Sequence, residues 1–150
     1  MKQLPEDELI GELDPDPDLC GQSILDVPVI GDDDCLPALE SRGVTHFFVG
    51  LGGTGNVLPR KRLYTTGCDH GLIPEDAIHP KAIVSPSAAY GPGVVICAGE
   101  IVGADARLGN DVMVNTGAIV EHDCVIGNHV HIATGSQLAS TVTVASEAHI

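Results

Sequence analysis

Histidine 122 is the residue in this 150-residue sequence best placed to do chemistry, because Glu121 and Asp123 flank it. A carboxylate beside an imidazole selects one tautomer and leaves the far nitrogen free to take a proton, as a general base requires. The alternative is a solvated turn histidine without a task. His131 follows nine residues later, and His149 a further eighteen. A second candidate is the Gly-rich run G-L-G-G-T-G-N, Gly50 to Asn56. A lone run of this kind is weak as a phosphate cradle and is expected at most to brush a substrate. Five scattered cysteines (20, 35, 68, 97 and 124) contain no C-x-x-C and read as reduced thiols rather than a disulfide frame or a zinc cluster.

The elements that must position His122 follow a period of six. Stepping from Ile78 by six gives Val84, Tyr90, Ile96, Val102, Leu108, Val114, Val120, Ile126, Ile132, Leu138, Val144 and Ile150, all aliphatic except Tyr90. A second column, four residues on, runs from Ala82 to Ala148 and holds small residues except for Glu100. Six fits neither a helix nor an alternating strand. It fits a parallel β-helix in which each hexad forms one side of a narrow prism and both columns point inward. Three hexads make a coil, so residues eighteen apart stack and His131 and His149 share a face. His122 falls in the corner column with Pro80, Pro86 and Pro92, and Cys124 in the inward small column. Glycine follows the aliphatic at 91, 103, 109 and 127, where a turn is expected to need positive φ.

The first half has another grammar, so the chain divides into 1–76 and 77–150. Leu9–Leu13 reads as a strand ended by D-P-D-P-D; Ile24–Ile30 as an edge strand, because Pro28 cannot donate to a ladder; Asp32–Asp34 as the cap of a short helix through Glu40. His46–Val49 reads as a strand, and the stretch around Arg60 to Tyr64 as a helix, giving α/β order with a small parallel sheet. With 21 acidic against 7 basic residues the formal charge is −14, which excludes nucleic acid and anionic membrane surfaces as main partners. No run approaches a membrane span, and Met1–Glu8 lacks the apolar core of a secretory signal, so the chain is expected in the cytoplasm.

The stretch N-T-G-A-I-V-E-H-D-C-V-I-G-N-H-V-H-I-A-T-G-S (Asn115–Ser136) resembles the left-handed β-helix acyltransferases of the bacillosamine and sialic-acid type, with relatives acting on perosamine. Ile78–Ala88 is similar to that family's entry into the helix, and L-D-P-D-P and V-P-V-I-G resemble its N-terminal nucleotide-sugar domain. The resemblance implies a partial Rossmann-like α/β domain followed by a left-handed β-helix, acetyl transfer from acetyl-CoA to an amine or hydroxyl of a nucleotide sugar, no metal, and a homotrimer. It implies His122 as general base, Asp123 as its support, Asn115 as a ligand of the acceptor, and His131 and the backbone near Ser140 as contacts of the thioester. It places Asp14, Asn56 and Arg60 near the nucleotide sugar, where a guanidinium suits a diphosphate. Ser140 stands where the family usually has Gly. The family's opening Gly-rich unit and its closing coils are not in the sequence, which therefore reads as part of a longer protein. Two other readings are a non-catalytic binding scaffold and a γ-type carbonic-anhydrase-like zinc hydro-lyase using His122, His129, His131 and His149.

Overall fold

A computed structural model describes residues 8–53 and 55–150; Thr54 of the Gly-rich run, and Met1–Glu8 apart from Glu8, lie outside the described residues. Two compact units result, Met1–Thr45 and His46–Ile150.

In the first unit β1 (Glu12–Leu13), β2 (Ser23–Ile24) and β3 (Val27–Gly31) form a sheet in the order β1-β3-β2. The D-P-D-P-D run makes successive aspartate turns: Asp14 Oδ1 accepts from Asp16 N at 2.8 Å, and Asp16 Oδ1 from Asp18 N at 3.0 Å. β2 and β3 are joined by Leu25 and Asp26, both in the left-handed region (φ 50° and 64°), as a two-residue hairpin loop requires. The edge-strand expectation for Pro28 is corrected, since β3 is the central strand. Val29 N donates to Gln22 O on the β2 side, so the alternation of the strand turns the Pro28 nitrogen towards β1, whose register begins only at Val29. The missing donor therefore breaks no ladder bond. Pairing is parallel between β1 and β3 and antiparallel between β2 and β3, so only half of this sheet is parallel as expected. Asp32 caps a 3₁₀ turn (Asp33–Cys35) by accepting from Asp34 N, and the turn leads into α1 (Leu36–Ser41).

The second unit opens with β4 (His46–Phe47), α2 (Leu58–Asp69) and β5 (Ile73–Pro74), and β4 and β5 pair in parallel. Thereafter the chain coils. One side of the prism is built from Ala77–Ile78, Val95–Ile96, Met113–Val114 and His131–Ile132; the second from Ile83–Val84, Ile101–Val102, Ile119–Val120 and Gln137–Leu138; the third from Ala89–Tyr90, Arg107–Leu108, Val125–Ile126 and Thr143–Val144. Each strand pairs in parallel with the one eighteen residues on. Through the middle coils both inward columns are as the period demands, with Ile96, Val114, Val120, Ile132, Val112, Ala118 and Cys124 fully buried, whereas Ile78, Tyr90 and Ile150 of the aliphatic column are exposed. The prism's interior is one continuous aliphatic core, each large side chain contributing roughly 1.5–3 kcal/mol relative to exposure.

The expectation about glycine is corrected. Positive φ falls two residues later than supposed, at Gly93, Gly99, Asp105, Asp111, Gly117, Asp123, His129, Gly135, Thr141 and Glu147. Gly103 and Gly127 are small for a different reason. A Cβ on Gly103 would lie 2.6 Å from His122 N, and one on Gly127 2.5 Å from Ser146 N. Each lets the next coil pass at contact distance.

The three outer faces differ. On the first side Val95, Met113 and His131 are buried, with Gly53 packed on His131 and the Tyr64 ring of α2 over Gly93. The second side presents a ladder of isoleucines, with Ile83 63% and Ile101 37% exposed and Ile119 half-buried. The third side, with Arg107 and Val125, is open and more polar.

Candidate active site

The corner between the second and third sides carries His122. Asp123 takes the left-handed turn position (φ 59°), which aspartate tolerates better than most residues, and its Oδ2 lies 2.8 Å from His122 Nδ1. The Nδ1 proton faces the carboxylate, leaving the Nε2 lone pair for a substrate. Both side chains are about half exposed (54% and 56%), so the pair is open to a ligand. Ser140 stands one coil on at the same corner, where Thr141 N donates to His122 O at 3.0 Å. That bond uses the Thr141 donor, and among the described residues Ser140 N–H has no backbone acceptor. One coil earlier stand Ala104 and Asp105, and before them Pro86 and Ser87. A cavity of 560 Å³ opens beside Asp123, lined also by Ser87, Ala89, Asp105 and Arg107.

Asn115 and His131 meet elsewhere. Asn115 follows Val114 at the corner between the first and second sides, and its Nδ2 lies 3.2 Å from His131 Nε2. The amide donates, so the His131 proton sits on Nδ1, which is buried and has no partner. Gly53 of the Gly-rich turn covers that nitrogen: a Cβ there would be 3.3 Å from it. The His131 and His149 rings share a face with centroids 4.7 Å apart, as their spacing of eighteen predicts. His122 is seven residues beyond Asn115, at the opposite end of the second side, so one chain does not bring the two together.

Arg60 occupies neither place. It is 3% exposed; its Nη1 donates to Val49 O (2.7 Å) and Leu51 O (2.9 Å), and its Nη2 pairs with Asp111 Oδ1 at 2.7 Å. Burial pulls its pKa below the usual value, and the Asp111 carboxylate works against that shift. Asp111 also accepts from His129 Nδ1 at 3.0 Å. The guanidinium thus fixes the start of the Gly-rich turn from inside the protein. Asn56 is likewise occupied, its Oδ1 accepting from Leu58 N at the start of α2. Asp14, in the first unit, lines a cavity of 200 Å³ with Pro15, Asp16, Pro17, Cys20, Gly31 and Asp32. Among the described residues no three His, Cys, Asp or Glu side chains converge as a metal site.

The residues that sequence reasoning missed include Asp105, Arg107, Asp111 and Glu100. Two of them were within reach of the period: Asp105 lies eighteen before Asp123, and Asp111 eighteen before His129. Glu100 stood out only as an exception to its column. It is fully buried with neither carboxylate oxygen hydrogen-bonded, and burial raises its pKa above the usual 4.5.

Residues 105–140 match the family described as bacterial transferase hexapeptide (six repeats). A structure of a histidine-to-alanine variant of GDP-perosamine N-acetyl transferase from Caulobacter crescentus, with CoA and GDP-perosamine, is 38% identical, with a TM-score of 0.84, and the match covers 93% of this chain and 63% of that one. A structure of PerB from the same organism, with CoA and GDP-perosamine, is 30% identical (TM-score 0.72), covering 93% of this chain and 75% of that one. The acetyltransferase domain of PglB from Neisseria gonorrhoeae, in complex with acetyl coenzyme A, is 31% identical (TM-score 0.76), covering 91% and 72%. The chain belongs to the hexapeptide-repeat sugar acetyltransferases of the left-handed β-helix type. The chain spans less than two thirds of the length of the first of those relatives. No curated protein sequence matches it.

Proposed function

We propose that the protein transfers an acetyl group from acetyl-CoA to an amine or hydroxyl of a nucleotide sugar, with His122 as general base and Asp123 as its support. The observation that carries this is the 2.8 Å His122–Asp123 contact at an open corner, one coil from Ser140, in a member of this family. In the step, the acceptor's lone pair attacks the thioester carbonyl carbon. A C–N or C–O bond forms and the C–S bond breaks. His122 Nε2 takes the acceptor's proton and returns it to the departing sulfur as free CoA thiol. Base catalysis of this kind contributes roughly 10²–10⁴-fold. Ser140 N–H supplies a donor for the developing oxyanion.

Asn115 contacts the acceptor group and His131 the thioester. Because these residues lie at the far end of the second side from His122, a complete site needs an edge from another copy, and a homotrimer provides it. The isoleucine ladder on the second side is the apolar surface such an assembly would cover. The division at 76/77 is retained as functional, residues 1–76 serving the nucleotide sugar, with Asp14 in its own cavity and Asn56 and Arg60 shaping the Gly-rich turn. Five free thiols fit a reducing cytoplasm, and among the described residues no helix is long and apolar enough to cross a membrane. The test is thiol release from acetyl-CoA with a panel of nucleotide-linked amino sugars. Sugar-dependent release supports the proposal, and its absence across the panel, with folding intact, contradicts it.

A further inference from the structure

The outward column of the first side is apolar until it reaches His131. Val95 pairs with Met113 and Met113 with His131, and all three are buried. Another aliphatic side chain would continue the column without leaving a polar atom dry. The imidazole leaves one, Nδ1, which has no hydrogen-bond partner among the described residues. Its other nitrogen is engaged. Asn115 Oδ1 accepts from Thr116 N at 2.8 Å, which turns the amide so that Nδ2 faces His131 Nε2 at 3.2 Å. What lies on the Nδ1 edge is the backbone of Gly53, itself buried. An added Cβ there would sit 3.3 Å from Nδ1, 3.5 Å from His131 Cβ and 3.4 Å from Val57 Cγ1, pressing on the imidazole and on the residue before α2 at once. A Cβ on Gly50 or Gly52 of the same run would meet nothing within 4 Å. The run is also anchored close to this contact. Arg60 takes Val49 O and Leu51 O and pairs with Asp111, which meets His129, two residues before His131.

We propose that Gly53 is a positioning residue for the Asn115–His131 pair: its bare backbone holds the imidazole where Nε2 meets the Asn115 amide, and so aims that amide at the ligand. The inference rests on the acetyltransferase reading above, in which Asn115 and His131 meet the substrates, and adds what holds them. After its two bonds Asn115 keeps one Nδ2 hydrogen and one Oδ1 lone pair, and their directions follow from the ring. A ring displaced by a few tenths of an ångström would stretch the 3.2 Å contact out of hydrogen-bond range and free the amide to turn. Only glycine brings a backbone this close to Nδ1 without a side chain that displaces the ring. Water on that edge could donate to Nδ1 and favour the other tautomer, and the Gly53 backbone keeps it off. Leaving the Nδ1 donor buried and unpaired costs free energy. That cost falls on the one ring bonded to Asn115, where a merely structural contact would have been served by an apolar side chain.

The experiment compares the full chain with Gly53→Ala and Gly52→Ala. Two readouts are taken: nuclear magnetic resonance of the His131 ring nitrogens and the Asn115 side-chain amide, and kcat for thiol release from acetyl-CoA with a nucleotide-linked amino sugar. Gly53→Ala should shift both sets of resonances and lower kcat about three- to tenfold, since a misplacement of about 1 Å costs about 10²-fold and a few tenths correspondingly less. Gly52→Ala adds the same methyl to the same run without touching the ring, and should change neither readout. Val57→Ala added to Gly53→Ala opens room beside residue 53 and should return the resonances and most of the turnover; it also keeps the test decisive if the single variant folds poorly. Unchanged resonances in Gly53→Ala would overturn the inference, as would shifted resonances with undiminished kcat, an equal loss in Gly52→Ala, or a double variant no better than the single. The resonances separate this result from that of the proposed function: a native chain that releases no thiol would sink the catalytic reading alone, because the ring and amide signals still report whether Gly53 holds the pair.

Discussion

Replacing Glu100 by valine should stabilise the coiled unit, and increasingly so as pH rises. The same inward column already carries Val94, Val112 and Val130, while Ala82 and Ala118, eighteen residues away on either side of Glu100, leave the room its side chain fills. Both carboxylate oxygens are buried without a hydrogen bond. Leaving a buried polar group unsatisfied costs about 1–3 kcal/mol, and valine removes that cost while keeping most of the apolar volume. For a domain near 100 residues, 1 kcal/mol moves the melting point by about 4–8 °C. Burial raises the folded-state pKa of Glu100 above 4.5. Below 4.5 both folded and unfolded states hold the proton. Between 4.5 and the raised value only the folded state does, so the stability of the native chain falls as pH rises through that window and then levels off. The variant has no such group, so the difference between the two proteins isolates it. Thermal melts followed by far-UV circular dichroism, at pH 4 to 8 and one protein concentration, would show the gap widening with pH. A variant less stable than the native chain, or a gap independent of pH, would refute the reasoning.

Asp111→Asn should cost about 3–5 kcal/mol in urea unfolding, because it leaves Arg60 charged and buried without its partner; a loss below 1 kcal/mol would show that Arg60 is held by the carbonyls of Val49 and Leu51 alone. Gly103→Ala should lower stability by about 1–3 kcal/mol and kcat by about tenfold or more, since its Cβ would fall 2.6 Å from His122 N and displace the base; unchanged kinetics would mean the coil yields without moving the imidazole. If the proposed trimer covers the isoleucine ladder, Ile101→Glu in its middle should give monomers by size-exclusion chromatography with light scattering where the native chain gives trimers, whereas a variant of the same oligomeric state as the native chain would contradict an interface on this side.

The coil was legible in the sequence because its cause is periodic. One inward aliphatic every six residues names the sides, and three sides make eighteen, which placed His131 beside His149. The corners were less legible. Their left-handed residues are set by backbone geometry that Gly, Asp, His, Thr and Glu all satisfy here, so glycine alone was a misleading marker. Glycine instead marked where neighbouring coils touch. The resemblance put Arg60 near the nucleotide sugar, and nothing in the sequence told which groups inside the fold it meets. Its actual partners depend on how α2 lies on the first side, which is a tertiary fact with no period. Pro28 misled because proline's missing donor matters only on the side of the strand that is paired.

The central claim is that His122, held by Asp123, is the base. His122→Ala, assayed by thiol release at saturating acetyl-CoA with a nucleotide-linked amino sugar, is its most direct test. The account predicts kcat at least about 10²-fold lower, with melting temperature and nucleotide-sugar binding unchanged. Undiminished turnover in a folded variant would contradict it.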